Sequence, residues 1–125
     1  MKLKDEMFNV VNMRTDEKGL PTWELHLNEH HYIYKAHFPG MPITPGVCIV
    51  QIVTELLSEH FECALILQVV NNIKFVSPIS PTETPDINVI VSKVLEQESE
   101  LTVRGMITSA SGSVCVKYSF MYKKV

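Results

Sequence analysis

His37 opens a segment that few ordinary loops resemble: His37-Phe38-Pro39-Gly40-Met41-Pro42-Ile43-Thr44-Pro45-Gly46-Val47, three prolines and two glycines gathered behind one titratable side chain. Each proline fixes φ, and each glycine permits backbone shapes that other residues avoid. Connecting loops do not need such restriction, whereas sites often do. A histidine's ordinary pKa of about 6.5 makes it a competent base near neutrality. Zinc chemistry is a weaker reading, because His30, His31 and His37 lack the second spacing or acidic cluster that would complete four ligands. His26, His30, His31 and His60 read as surface or strand-edge residues. Cys48, Cys63 and Cys115 form no CxxC pair, and no base is placed beside Cys48, so all three read as small packed hydrophobes in a reducing cytoplasm.

The elements that must hold His37 follow from periodicity. Residues 7–14 form a strand, Asp16-Glu17-Lys18-Gly19 a turn, and Trp23 to Leu27 a second strand. Residues 28–46 read as irregular. A helix begins near Pro45, with Thr44 as its hydroxyl cap and Pro45 at the first helical position. Ile49, Val50, Ile52, Val53, Leu56 and Leu57 fall on one apolar arc, and Gln51, Thr54, Glu55, Ser58 and Glu59 on the opposite one. Further strands follow over 64–75, 87–92, 101–104 and 114–122, with connections at 96–100 and 111–113. The 114/116/118/120/122 face is wholly apolar or aromatic. One apolar helix followed by strands on short turns predicts an α+β domain, a mostly antiparallel curved sheet around one long central helix.

The 125 residues are 46% hydrophobic, enough for one domain spanning 1–125 with a sizeable core. The formal net charge of −3 argues against nucleic acid as a partner. No apolar run approaches the roughly 20 residues of a membrane span. The start of the chain lacks the pattern of a signal peptide, which again predicts a cytoplasmic protein.

The segment from His37 to Gln51 closely resembles the 3-hydroxyacyl-[acyl-carrier-protein] dehydratases, whose fold is the hot-dog. Their pattern is His-Phe-x-Gly-x-Pro-x-x-Pro-Gly, then four residues, then an acidic residue on the helix. His37, Phe38, Gly40, Pro42, Pro45 and Gly46 match it. Ile73-Lys74-Phe75-Val76-Ser77-Pro78-Ile79 is similar to the family's strand after the helix. The resemblance implies that His37 is the general base of a dehydration, with the Gly46 and Val47 amides as donors to the thioester oxygen. The helix start carries unpaired N–H groups and the positive end of a dipole, which suits that task. It implies a substrate-binding set of Phe38, Gly40, Pro45, Gly46 and Val47, no metal and no cofactor.

One position departs from the pattern. Gln51 stands where the family carries Glu or Asp, and an amide cannot give up a proton at any useful pH. Glu55 stands four residues on, where the family often has Gln, and i,i+4 side chains share a helix face. Glu55 therefore either reaches the site, directly or through Gln51, or is a solvated helix residue. The resemblance further implies a homodimer or larger homo-oligomer in which His37 faces residue 51 of the other chain. The substrate would ride on the phosphopantetheine arm of an acidic acyl carrier protein, met by a basic rim for which Lys35, Lys74 and Arg104 are candidates. Two other functions stay open: a hot-dog thioesterase, and a catalytically silent acyl-carrier-binding homologue.

Overall fold

The computed structural model describes residues 2–125. Six strands, β1 (Phe8–Thr15), β2 (Pro21–Leu27), β3 (Leu65–Phe75), β4 (Asp86–Glu96), β5 (Glu100–Ser109) and β6 (Val114–Lys124), form one sheet in the order β1-β2-β4-β5-β6-β3. Every neighbouring pair is antiparallel. Helix α1 (Tyr32–Ala36) and helix α2 (Gly46–His60) both lie between β2 and β3. The chain must therefore cross from the second strand position to the sixth, four spacings or about 19 Å. Helix α2 is about 22 Å long, enough to make that crossing.

Strands β2, β4, β5 and β6 form where period-two alternation of burial is seen, because one face of each is turned into the core, whereas β1 and β3 are exposed over most of their length. Val116, Tyr118, Phe120 and Tyr122 of β6 are all buried, and so are Leu101, Val103 and Ile107 of β5. The Tyr118 and Phe120 rings stack at 5.2 Å. From the helix side come Cys48, Ile49, Ile52, Val53, Leu56 and Leu57. Val50, expected in that arc, is only half-buried, and Cys48 takes its place.

Three expectations need correction. The helix is not a long one: α2 runs for fifteen residues and ends in a Schellman motif. There Cys63 N–H donates to the Ser58 carbonyl and Glu62 N–H to Glu59, with Glu62 at φ 52° in the left-handed region. Residues 28–46 are not irregular throughout, since α1 occupies 32–36, too short to register as a 3.6-residue period. Thr44 does not cap α2. Pro45 is the N-cap, with no side-chain hydrogen bond, and the Thr44 hydroxyl is engaged elsewhere.

Burial of tyrosine hydroxyls sets an alkaline limit. Burial pushes Tyr122 up to about 12, although its hydrogen bond with Thr54 lowers it in part. Burial raises Tyr118 further. A raised folded-state pKa means that the folded form holds the proton more tightly. The resulting stability is complete below the ordinary value of 10.0 and is lost as pH rises through about 12. Urea midpoints should therefore fall steadily between those values, each such tyrosine removing roughly 1.4 kcal/mol per pH unit; a flat profile there would contradict the burial.

Candidate active site

His37 is carried by a short, well-tied element. His31 begins α1, its imidazole accepting from Ile33 N–H at 3.3 Å, and is buried rather than at the surface. His37 ends α1, its N–H donating to the Ile33 carbonyl at 3.0 Å. The next four residues fold back in a turn, with Met41 N–H donating to the Phe38 carbonyl at 2.9 Å. Pro39 pre-sets the first central position, and Gly40, at φ 78°, supplies the left-handed second one. Ile43 N–H then returns to the His37 carbonyl at 2.8 Å, and Thr44 N–H bonds the Ile79 carbonyl at 2.8 Å. The segment is closed by backbone bonds at both ends.

The His37 imidazole projects from this frame into solvent. Its ring lies edge-on to Phe38 at 5.5 Å and makes no hydrogen bond to the described residues. Phe38, Met41 and Val47 are also exposed. At the start of α2 the first intrahelical bonds run from Cys48 and Ile49 to the Pro45 carbonyl. The Gly46 and Val47 amides precede them. Beside these amides lies an apolar groove of about 340 Å³, lined by Ile43, Gly46, Ile49, Phe75, Val76 and Ile79 among others. A Cβ at Gly46 would lie 3.0 Å from the tip of the Phe75 ring, so the glycine lets that half-exposed ring sit close to the helix start.

Gln51 and Glu55 do meet across one turn: the Gln51 amide donates to a Glu55 carboxylate oxygen at 2.8 Å. The same carboxylate also accepts from the backbone of the chain's start, Leu3 N–H at 2.7 Å and Lys4 N–H at 2.9 Å. Glu55 is thus half-buried and engaged, which is not the solvated helix residue of one reading, and its bond to Gln51 is the contact through which the other reading would have it reach the site. Lys35 is exposed beside His37, in the last turn of α1. Lys74 and Arg104 lie on strands β3 and β5, on the side of the sheet away from α2. Among the described residues no group of three or more His, Cys, Asp or Glu side chains could hold a metal ion. His26 pairs with Asp86 at 2.8 Å, and His60 packs edge-on against Trp23.

Sequence reasoning missed the contact that joins the two halves of the site. The Tyr34 and Thr44 hydroxyls share a buried 2.8 Å hydrogen bond, linking the helix of His37 to the residue before Pro45. Burial raises the Tyr34 pKa, the Thr44 bond lowering it in part. The available signal was Tyr34 itself, three residues before His37, but it means nothing until α1 is recognised. Thr44→Val keeps the shape and leaves the Tyr34 hydroxyl unsatisfied, so it should cost about 1–3 kcal/mol. Urea denaturation with an unchanged m-value checks this; a midpoint equal to wild type would deny the bond its role.

The family model for ApeI-like proteins, described as ApeI dehydratase, matches residues 12–116. The chain belongs to the ApeI-like dehydratase family. No curated protein matches it. Among solved structures, this ApeI-like chain is similar to the dehydratase heterocomplex ApeI:P from Xenorhabdus doucetiae, with a TM-score of 0.67 at 16% identity over 92% of this chain and 96% of that one. A putative thioesterase from Lactococcus lactis superposes with a TM-score of 0.65 at 10% identity, covering 96% of this chain and 95% of that one. A Bacillus halodurans protein with CoA does so with 0.60 at 12% identity, over 92% of this chain and 74% of that one. At such identities the likeness shows the hot-dog fold alone, and the dehydratase family rests on the sequence match.

Proposed function

We propose that the protein dehydrates 3-hydroxyacyl thioesters, with His37 as the base. The observation that carries this reading is the frame around His37, an exposed imidazole tied by backbone bonds to the segment entering α2, where amides without a partner among the described residues and an apolar groove lie together. His37 removes the α-proton, and the charge moves to the thioester oxygen, which the Gly46 and Val47 N–H groups receive. The imidazolium then returns that proton to the departing β-hydroxyl, so that a carbon–carbon double bond forms and water leaves. No separate carboxylic acid is needed on this route, and Gln51 serves by holding the hydroxyl through its amide. Phe38, Gly40 and Pro45 shape the entrance.

The site is completed by a second subunit. The free edge of β3 exposes Ile66, Val69 and Val70, an apolar strand edge that natural proteins cover. Pairing β3 with β3 of a second copy makes a homodimer in which His37 of one chain faces Gln51 of the other. The structurally similar Xenorhabdus dehydratase is a heterocomplex, and a heteromeric partner is the alternative to a second copy of this chain. An acyl carrier protein brings the substrate, with Lys35 beside the entrance. The free thiols of Cys48, Cys63 and Cys115 suit a reducing cytoplasm.

Thioester hydrolysis is the second reading, favoured by the thioesterase fold neighbour. Mass spectrometry of products from 3-hydroxyacyl carrier substrates of several chain lengths separates the two. Enoyl thioester supports dehydration, free acid supports hydrolysis, and recovery of unchanged substrate at every length supports a silent acyl-binding homologue.

A further inference from the structure

Four cations form one band across the outer face of the sheet. Lys74 on β3 lies opposite Lys117 on β6, and Lys93 on β4 lies opposite Arg104 on β5, which in turn faces Ser119 on β6. All four are exposed. Their neighbours in sequence, Val103, Val116 and Tyr118 among them, are buried on the α2 side, so alternation turns the cations outward. The band spans three strand spacings, roughly 14 Å. Between the cations runs a polar groove of about 430 Å³, walled by Asn72, Ser92, Arg104, Lys117 and Ser119 among others, with no carboxylate in its lining.

This arrangement runs against the composition. The chain has 14 acidic residues and 11 Lys and Arg, yet these four cations make no ion pair among the described residues. Lys4, Arg14 and Lys124 are each paired with a glutamate, while Lys2, Lys18, Lys35 and Lys123 are also without an ion pair among the described residues. What sets the four apart is their gathering on one face rather than their lack of partners. A band of like charges repels itself, and an anionic partner offsets that repulsion while being steered toward it. A second copy of the chain would present the same sign. A bilayer would need apolar anchors, and Met106 is the one apolar side chain in the groove lining that is not buried. Single-stranded nucleic acid would need exposed aromatic rings on the same face to stack on, whereas Tyr118 is buried and the exposed Phe75 lies opposite buried Val116, on the other face of the sheet. An acidic protein surface needs neither.

We propose that this band is the docking surface of the acidic carrier protein, a proposal that rests on the dehydratase reading above. Position supports it. Lys74 immediately precedes Phe75, whose ring meets Gly46 in the apolar groove, and Lys117 lies opposite Lys74. The band therefore starts at the end of the sheet where that groove lies. A carrier seated there passes its flexible arm around the end of β3 to reach the α2 N-terminus.

The test is the double variant Lys74→Glu/Lys117→Glu, assayed on carrier-linked and on pantetheine-linked 3-hydroxyacyl substrate. We expect kcat/KM to fall at least about tenfold for the carrier-linked substrate and to stay within about twofold for the pantetheine thioester. Lys18→Glu, in the exposed β1–β2 turn, should change neither. Equal loss on both substrates, or no loss on either, overturns the proposal. If wild type turns over neither substrate, the dehydratase reading fails separately, and fluorescence anisotropy with labelled acyl carrier protein decides the docking. Tenfold weaker binding by the double variant then supports the band, and equal binding rejects it. Loss of binding to single-stranded RNA or anionic vesicles with carrier binding unchanged also rejects it.

Discussion

His37→Ala is expected to lower kcat for dehydration by about 10²- to 10⁴-fold, the range that a positioned general base contributes. Stability should barely move, within about 0.5 kcal/mol, because the removed imidazole is exposed and bonds to none of the described residues. That separation is the informative part. Backbone bonds of residue 37, from its N–H to Ile33 and from Ile43 to its carbonyl, survive the substitution and keep the frame closed. Substrate binding, which rests on the apolar groove and the α2 amides, should be little changed. Stopped-flow formation of the enoyl product, read beside a urea melt, checks both halves. Turnover retained within tenfold would remove His37 from the role of base, and a large loss of stability would make it structural instead.

The second large effect falls far from the site. Gly105→Ala should destabilise the fold by about 3 kcal/mol, the upper end for inserting a methyl group into a packed interior. Tyr118 crosses over Gly105 to donate its hydroxyl to the Ile90 carbonyl at 2.8 Å. A Cβ at 105 would overlap both that carbonyl and the Tyr118 hydroxyl. Neither yields easily, since one is backbone in β4 and the other belongs to a side chain only 2% exposed. The register shift between Val91 and Lys93 lies in the same stretch of β4, so the local twist is built around this crossing. Urea unfolding of the variant measures the cost; a change under 1 kcal/mol would mean that β4 can move and that the notch is not required.

The two effects differ in how far the sequence foretold them. His37 stands out because its neighbours are prolines and glycines, which declare conformation locally. Gly105 sits inside a run of alternating residues and declares nothing, since its reason is a tyrosine hydroxyl arriving from the next strand. Glu55 is similar. Spacing correctly joined it to Gln51 across one turn, but the backbone amides of Leu3 and Lys4 that hold its carboxylate lie more than fifty positions away in the chain. The Thr44 hydroxyl could be read as a cap only while Tyr34 was assigned to a loop.

What the sequence determined alone were the terms that depend on near neighbours. Alternation placed β2, β4, β5 and β6, a 3.6-residue period placed α2, and the spacing from His37 to Gly46 marked the family, because each is set by local geometry. The tertiary structure decided which groups are satisfied and by whom. It committed Glu55 to the start of the chain, tied α1 to the entry of α2 through Tyr34 and Thr44, and drew Lys74, Lys93, Arg104 and Lys117 from four strands into one band. Those outcomes depend on strand order and register, which bring residues distant in the chain within hydrogen-bonding or Coulomb range, and no local pattern encodes them.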